Sequence, residues 1–364
     1  MRTFYTGPMR ALIAGGWLAA ALYGSGAVAQ TDALVQQPAI TSTMATQSAM
    51  LSVARAGQRL VAVGERGFII VSDDNGDSWR QVASPVSMTL VKVRFIDAQL
   101  GWAVGHAGVV LHTRDGGLTW EKQLDGVQAG AIELAQASLE TGEQAQERQD
   151  QARQLVEEGP DKPLLDLLFL DPLNGWVVGA YGLAFVTHDG GHSWQSIRSS
   201  LDNPSGLHLY SIERVGEELF IAGEQGVLLR SSDEGRSFDA LTSPYEGTIF
   251  GLQAGAGHSI LMFGLRGKAF ESSDRGDTWQ RLDTLEPVTL TSGLRLEDGS
   301  VLLADESGRV LRFAEGANQA AVLRTPQSRY FTGMAQAANG ELIISSARGM
   351  LSSAIAVDSP EQPK

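Results

Sequence analysis

The octet THDGGHSW at residues 187–194 contains the residue types of a metal or catalytic loop. His188 and His192 lie four residues apart, with Asp189 and a Gly-Gly pair between them. On a helix this spacing would bring both imidazoles to one face, but the glycines and short polar residues predict a β-turn. A zinc site also needs a third protein ligand, and no further His lies close in the turn. The octet is therefore interpreted as a turn, and a metal site is the less favoured alternative.

Two other short stretches contain residues that bind metals or attack glycosidic bonds. The sequence DDNGD at 73–77 is rich in carboxylates, but its spacing does not match that of a calcium loop. Tyr330 beside Arg329, with Glu246 in an equivalent loop, comes closest to the Tyr–Glu pair of a sialidase. Sugar sites also need aromatic platforms, yet six of the seven tryptophans occupy repeated positions and the seventh lies near the N-terminus. A glycoside hydrolase or a lectin remains the alternative to a non-catalytic function.

The octet recurs along the chain, so architecture explains it better than chemistry does. The five copies are SDDNGDSW at 72–79, TRDGGLTW at 113–120, THDGGHSW at 187–194, SSDEGRSF at 231–238 and SSDRGDTW at 272–279. Each copy follows a short apolar stretch that begins at a glycine, and two further stretches continue the phase. The phased glycines are Gly67, Gly108, Gly182, Gly226, Gly267, Gly308 and Gly349. They are spaced by 41 residues except for one interval of 74 and one of 44.

Each repeat unit contains four short alternating stretches, such as VKVRFID, GWAVG, GVVLHT and TWEKQ in the second unit. Four strands in about 40 to 45 residues correspond to one propeller blade. The sequence therefore predicts an all-β fold over residues 30–357, a seven-bladed β-propeller of four-stranded antiparallel blades. The last unit offers only three strands, so we expect the N-terminal segment 32–40 to supply the fourth strand and close the ring.

The conserved pattern within the octets has a structural explanation in the turn between the third and fourth strands. The acids are Asp74, Asp115, Asp189, Asp233 and Asp274, and four octets end in Trp79, Trp120, Trp194 and Trp279. We expect each acid to accept backbone N–H groups of its own turn, and a following glycine to take a positive φ. The closing Trp is expected to pack the turn against the blade. The octets thus require no catalytic residue, metal or cofactor.

The octets match the Asp-box, or BNR repeat, SxDxGxTW. Longer units such as VGHAGVVLHTRDGGLTW at 104–120 resemble the seven-bladed photosystem II assembly factors of cyanobacteria and chloroplasts and their bacterial relatives. The resemblance covers essentially the whole chain after the N-terminal apolar segment. It implies a non-catalytic scaffold that binds a partner protein and helps a membrane complex to assemble. Asp-boxes also occur in sialidases, xyloglucan hydrolases and sorting receptors, and here Phe238 ends the fourth octet while units six and seven lack it.

The N-terminus, residues 1–29, has the features of a secretory signal peptide. Arg2 and Arg10 precede an apolar run that ends in the small residues 27–29, so cleavage before Gln30 is predicted, with an uncleaved anchor as the alternative. No cysteine is present, so no disulfide can form. A formal charge of −14 argues against a nucleic-acid partner. We expect an exported monomer, periplasmic or secreted, without direct membrane insertion after cleavage, whose partner is the periplasmic part of a membrane complex or exporter.

One face of the predicted ring is the candidate binding surface. Turns between second and third strands share a side with the connections between blades, opposite the Asp-boxes. The resemblance implies an arginine-rich patch on one face, and Arg66, Arg266 and Arg348, each just before a phased glycine, are its counterparts. Ordinary solvated charge is the alternative. The full set of candidate partner-binding residues is Arg66, Tyr181, Arg266, Arg329, Tyr330 and Arg348.

The interval of 74 residues places an insertion at about 128–162, between blades two and three. It is rich in Ala, Glu and Gln, which predicts helix, and Gly142 divides it into two. A modest apolar stripe favours a docking element over a solvated spacer. The stripe consists of Ala145, Ala152, Leu155 and Val156. After the last unit, residues 358–364 are predicted to form a polar tail.

Overall fold

The computed structural model describes residues 35–142, 145–255, 257–325 and 330–355. These residues form seven antiparallel sheets, six with four strands and one with three, and each sheet keeps the order of the chain from its inner to its outer strand. The inner strands contact one another around a ring in which the seventh blade meets the first. The predicted seven-bladed β-propeller is therefore confirmed. The predicted signal peptide and the polar tail lie outside the described residues.

The strands are numbered along the chain. The inner strands are β1 (Met50–Ala56), β5 (Leu90–Phe95), β9 (Leu164–Phe169), β13 (Leu209–Val215), β17 (Ile249–Ala254), β21 (Leu290–Arg295) and β25 (Phe331–Gln336). The second strands are β2 (Arg59–Gly64), β6 (Gly101–Gly105), β10 (Gly175–Gly179), β14 (Glu218–Gly223), β18 (Ile260–Gly264), β22 (Val301–Asp305) and β26 (Leu342–Ser346). The third strands are β3 (Ile69–Ser72), β7 (Val110–Thr113), β11 (Ala184–Thr187), β15 (Leu228–Ser231), β19 (Ala269–Ser272), β23 (Val310–Phe313) and β27 (Gly349–Ser353). The outer strands are β4 (Arg80–Val82), β8 (Glu121–Leu124), β12 (Gln195–Ser196), β16 (Asp239–Ala240), β20 (Gln280–Arg281) and β24 (Ala321–Leu323).

The hydrophobic core is distributed over the interfaces between neighbouring blades. Val61 and Val63 of blade one pack with Val93 and Leu111 of blade two, for example. Because every sheet is covered on both faces, the second strands are apolar throughout rather than alternating, and all five residues of β6 are buried. The ring is therefore stabilised by seven similar interfaces.

The ring closes through side-chain packing of blade seven against blade one. Ala335 and Ile343 share a buried cluster with Met50 and Ile70. Thr332 Oγ1 also donates a hydrogen bond to the carbonyl of Met50 over 2.6 Å. Closure of the described ring thus depends on the same kind of contact that joins the other blades.

The N-terminal segment does not supply the missing strand of blade seven in its described part, residues 35–40, so that prediction is wrong. Ala39 N–H donates to the carbonyl of Ser84 over 3.1 Å, which places the segment beside the outer edge of blade one. The side-chain N–H of Gln81 donates to the carbonyl of Ile40 over 2.8 Å. Its side-chain oxygen accepts the backbone N–H of Ser42, also over 2.8 Å. This side-chain amide satisfies backbone groups that strand pairing would otherwise have used.

The two faces of the ring differ in the connections they carry. The connection face holds the turns between second and third strands and the connections between blades. The Asp-box face holds the turns between first and second strands and the octets. Single turns of 3-10 helix occur at Ala45–Gln47, Glu65–Gly67, His106–Gly108, Ala180–Gly182, Arg198–Ser200, Glu224–Gly226 and Leu265–Gly267, and five of them are tips of the connection face.

The repeated GxxG motif is explained by the geometry of these tips. A Cβ on Gly64 would lie 2.1 Å from the carbonyl oxygen of Ala49, so the close approach of the backbone requires glycine. A Cβ on Gly67, which has a φ of 70°, would lie 2.0 Å from the carbonyl oxygen of Val86. The residue just before Gly67 also has a positive φ, 56° at Arg66. The tip backbone is thereby fixed, and it presents one variable side chain per blade.

The insertion forms two helices, α1 (Gly126–Ala137) and α2 (Ala145–Glu158), which pack against each other. Asp125 caps α1 by accepting the N–H groups of Val127 and Gln128 over 3.1 and 3.2 Å. In the described part of the chain, no helix combines the length and apolar character needed to cross a membrane.

The predicted apolar stripe of the insertion packs partly within the chain, although Val156 is exposed. Ala152 is buried, and Leu155 packs with the cluster between blades two and three. Glu133 of α1 is fully buried, where it accepts a hydrogen bond from Ser196 Oγ of β12 and pairs with Arg148 over 3.4 Å. The helices are thus attached to the ring, and a docking role for the stripe stays a prediction.

Candidate partner-binding face

Each Asp-box turn is closed by hydrogen bonds within its own octet. In the fifth octet, Asp274 accepts the N–H of Thr278 over 2.8 Å and its hydroxyl over 2.6 Å. Ser272 Oγ donates to Asp274 over 2.7 Å and accepts the N–H of Gly276, whose φ is 86°, over 2.8 Å. The same carboxylate contacts recur at Asp74, Asp115, Asp189 and Asp233. These acids stabilise turns and face no shared site.

The residue that closes the octet varies in its polar contacts. The indole N–H of Trp279 donates to the carbonyl of Gly276 over 3.0 Å, and Trp79 and Trp120 donate to the equivalent carbonyls. The indole nitrogen of Trp194 has no acceptor among the described residues, and its ring packs edge-on against Phe169. The closing aromatic residue therefore contributes packing in every octet but a hydrogen bond in only some.

The turn hydrogen bonds make the octets sensitive to acid. Hydrogen bonds from the hydroxyl and backbone of Ser or Thr lower the pKa of Asp74, Asp189 and Asp274 from 3.8 to about 2. Since the folded carboxylate binds a proton more weakly than the unfolded one, it stabilises the fold above about pH 4. That stabilisation is lost as the pH falls through about 2.

We expect Asp274→Asn to reduce the dependence of the free energy of unfolding on pH in the acid range, because one of these carboxylates is removed. Urea titrations from about pH 5 to about pH 2.5 measure that dependence. Asp277→Asn is the matched control, since Asp277 lies in the same turn and pairs with Arg230 over 2.9 Å instead of accepting turn amides. Identical acid slopes for the native protein and Asp274→Asn would contradict this assignment.

The two histidines of the third octet do not converge on a metal. His188 Nδ1 lies 2.8 Å from Asn174 Oδ1, and the side chain of His192 is exposed. Within the described ranges, no three His, Asp or Glu side chains are grouped to hold a metal ion. In the first octet, Asp73 is engaged by Arg59 over 2.6 Å rather than directed at a common centre.

Three of the predicted arginines project from tips of the connection face. Arg66 and Arg266 are exposed, and neither guanidinium has an ion pair or hydrogen bond within the described part of the chain. Arg348 is exposed on blade seven, which is adjacent to the blade of Arg66. Arg329 lies outside the described residues. The two unpaired cations remain able to meet an acidic partner.

Several acids on the same face are held by hydrogen bonds to the backbone. Glu65 accepts the N–H of Ala49 over 3.2 Å, and Glu224 accepts the N–H of His208 over 3.3 Å. Asp305 is fully buried and bonded within its own turn. Glu65 and Glu224 thus position inner strands and Asp305 pairs with Arg309 over 2.7 Å, so these carboxylates are less available to the tip arginines.

The residues of the sialidase-like alternative do not form a site. Tyr330 precedes the inner strand of blade seven, whereas Glu246 precedes that of blade five, so blade six lies between them. No hydrogen bond joins the two side chains among the described residues. Tyr330 is half exposed on the connection face and is therefore a surface residue there.

An aromatic row that the sequence analysis missed crosses the connection face. Tyr181, 52% exposed, lies edge-on to His208 with ring centroids 4.8 Å apart. His208 then contacts Tyr210, which contacts Phe250 at 5.3 Å. Lys162 Nζ lies 5.2 Å from the centroid of the Tyr181 ring. The row combines a tip of blade three with the inner strands of blades four and five, so no local pattern in the sequence could have grouped it.

The central channel contains an ion network that was also missed. Arg94 of blade two pairs with Asp166 of blade three over 2.8 Å and with Glu213 of blade four over 3.2 Å. Burial alone would lower the pKa of Arg94, but the two carboxylates outweigh it and raise that pKa. The network fixes three neighbouring inner strands relative to one another.

Comparison with known proteins agrees with this geometry. The chain is 30% identical over 118 residues to the photosystem II assembly lipoprotein Ycf48 of Synechococcus sp. strain CC9902. It is 28% identical over 157 residues to the photosystem II stability/assembly factor HCF136 of Oryza sativa subsp. japonica. These matches cover 32% and 42% of the chain, and 35% and 38% of the respective relatives. The aligned region is thus about a third of the length of those relatives.

Solved structures show the same fold at low sequence identity. The structure of YCF48 bound to D1 peptide has a TM-score of 0.62 at 17% identity, and covers 88% of this chain and 99% of that one. A streptogramin B lyase structure has a TM-score of 0.64 at 10% identity, with 86% and 95% covered, so fold alone does not select a function. The family model for the photosynthesis system II assembly factor YCF48 matches residues 71–147 and 144–350. The chain belongs to the photosynthesis system II assembly factor YCF48 family.

Proposed function

We propose that this protein is an exported, non-catalytic scaffold that binds a partner protein with its connection face. In this role it helps a membrane complex of the cell envelope to assemble or work. The observation that carries the proposal is the exposure of Arg66 and Arg266 without an ion pair in the described part of the chain. A negative segment of a partner would supply the missing counter-charge and would gain charge-assisted hydrogen bonds.

The relatives support a binding role over a catalytic one. The two relatives matched by sequence, Ycf48 of Synechococcus and HCF136 of Oryza sativa, are assembly factors. One solved structure is that of YCF48 bound to D1 peptide. Exposed aromatic residues on the same face as the cations strengthen the case, because Tyr and Arg are enriched where protein interfaces hold most of their binding energy. Tyr181 and Tyr330 supply such side chains on the same face.

Export agrees with the composition and the N-terminal sequence. Residues 1–29 have the charge, apolar run and small-residue ending of a signal peptide. A chain without cysteine needs no disulfide chemistry in an oxidising compartment. The partner in this proposal is the periplasmic part of a membrane complex, and the protein acts as a monomer.

Crosslinking and pull-down from the native envelope test the proposal. We expect the double variant Arg66→Glu with Arg266→Glu to recover at least about fivefold less of the crosslinked partner, because both unpaired cations become anions. The matched control is Arg236→Glu with Arg275→Glu, which makes the same charge change on Asp-box turns of the opposite face. Equal partner recovery by the tip variant and the native protein would refute the face assignment, as would a loss confined to the control.

A further inference from the structure

The inner strands share a deviation that the repeat pattern does not reveal. Each contains a β-bulge at its second residue, where the register with the second strand shifts. A bulge redirects a side chain out of the regular alternation, and here it directs one residue per blade into the mouth of the channel on the connection face. This mouth ring consists of Leu51, Val91, Leu165, Tyr210, Phe250, Thr291 and Thr332.

The mouth ring is apolar over most of its circumference. Blades one to five contribute aliphatic or aromatic side chains. The hydroxyls of Thr291 and Thr332 donate to backbone carbonyls over 3.3 and 2.6 Å, so they are already used within the protein. The channel below has a volume of about 570 Å³. That volume lies within the range typical of small-molecule sites, about 300 to 1,000 Å³.

The position that follows each bulge has a structural role in several blades. Ser52 Oγ accepts the N–H of Val93 from the next inner strand over 3.2 Å. Asp166 likewise accepts the N–H of Ile212 over 3.0 Å. In blade four, Ser211 Oγ accepts the corresponding N–H from the inner strand of blade five over 3.1 Å. The architecture therefore uses a hydrogen-bond acceptor here.

Lys92 occupies the same position in blade two and cannot take that role, because an ammonium group has no acceptor. The amide that it would have satisfied, that of Leu167, donates instead to Asp166 Oδ1 over 2.9 Å. Lys92 lines the channel directly beneath the mouth ring. Among the described residues its ammonium group has no hydrogen bond or ion pair within 4 Å.

The other cations of the channel already have direct contacts within the protein. Arg94 uses both Asp166 and Glu213, and Arg55 pairs with Glu297 over 3.2 Å near the opposite end. Arg295 donates to a backbone carbonyl. Burial lowers the pKa of Lys92 below its usual value, and the nearby Arg94 lowers it further. The carboxylates of Asp166 and Glu213 offset only part of this effect. A half-buried cation without a direct partner is stabilised by an anion that approaches it.

We propose that the channel binds a small organic anion through Lys92, with the apolar part of the ligand against the mouth ring. The ligand class is a carboxylate on a short aliphatic or aromatic body. Its carboxylate accepts hydrogen bonds from Lys92 Nζ, and its apolar part covers side chains such as Leu51, Val91 and Phe250. The site needs no partner protein, so its test is independent of the proposed function.

Isothermal titration of the full chain with sodium octanoate tests the site. We expect saturable binding of one octanoate, at least about tenfold weaker binding of the uncharged analogue octanamide, and a similar loss of octanoate affinity in Lys92→Gln. Octanamide affinity should not change in that variant, because the apolar contacts remain. Lys92→Arg should retain octanoate, since it keeps a positive charge at the position.

Arg55→Gln is the matched control, because Arg55 lines the same channel but already pairs with Glu297. It should bind octanoate like the native protein. Leu165→Asn should weaken both octanoate and octanamide by reducing the apolar surface of the mouth ring. The proposal is overturned if the native protein shows no saturable octanoate binding, or if Lys92→Gln binds octanoate as tightly as the native protein does.

Discussion

Replacement of Arg94 by Met is expected to reduce the free energy of unfolding by about 3 to 5 kcal/mol. The change removes the only side chain that forms an ion pair with both Asp166 and Glu213 in the described structure. Asp166 is 1% exposed, so its carboxylate would remain buried beside a second carboxylate without a cation in direct contact. Leaving one buried charge uncompensated costs more than an ion pair contributes at the surface.

Urea titrations of Arg94→Met and Arg59→Met provide the measurement and its control. Arg59 pairs with the exposed side chain of Asp73 over 2.6 Å and donates to two backbone carbonyls of the second octet over 3.2 Å, so its loss should cost about 1 to 2 kcal/mol. Adding Asp166→Asn to Arg94→Met should restore part of the stability, because the uncompensated charge is then removed. A loss for Arg94→Met no larger than that for Arg59→Met would show that the network does not hold the inner strands together.

Replacement of Trp102 by Ala is expected to cost about 3 to 5 kcal/mol, the usual range for removing a buried aromatic side chain. Trp102 is 1% exposed and stacks on Phe169 of blade three, with ring centroids 3.6 Å apart, and on His112 at 4.6 Å. Its indole N–H donates to Gln123 over 3.2 Å, and Gln123 in turn donates to the carbonyl of Gly190. The substitution therefore opens a cavity between two blades and breaks a link to the third octet.

Trp120→Ala is the control for Trp102→Ala, because it removes the same volume from a half-buried position. Its cost should be clearly smaller, since water can reach the space that is left. Thermal unfolding of both variants gives the comparison. Similar losses of stability would contradict the view that the stack of Trp102 between blades two and three is a principal contact of that interface.

The sequence predicted the fold of this protein more completely than it predicted the candidate site. The octets identified the third-to-fourth strand turns, because the contacts of Asp274 lie within four residues along the chain. The phased glycines located the tips of the connection face, where Arg66 and Arg266 are exposed. The aromatic row from Tyr181 to Phe250 and the channel network were not predicted, because their members are brought together only when separate blades pack side by side.

The prediction of ring closure failed for a related reason. The apolar residues within 32–40 are compatible with a strand, but they do not specify which edge the segment pairs with. The side-chain amide of Gln81 bonds to backbone groups of Ile40 and Ser42 at the edge of blade one. That contact joins residues about 40 positions apart, so a short-range pattern could not have revealed it.

The sequence by itself determined the repeat unit, the number of blades and the turns, because these depend on hydrogen bonds and φ values within a few residues. Only the tertiary structure decided which side chains face the channel, since a bulge in each inner strand overrides the alternation that a sequence pattern assumes. Lys92 reads as one polar residue in an alternating strand, and its environment arises from Asp166, Glu213 and the mouth ring on other blades. Local interactions therefore fixed the blade, and contacts between blades created the sites.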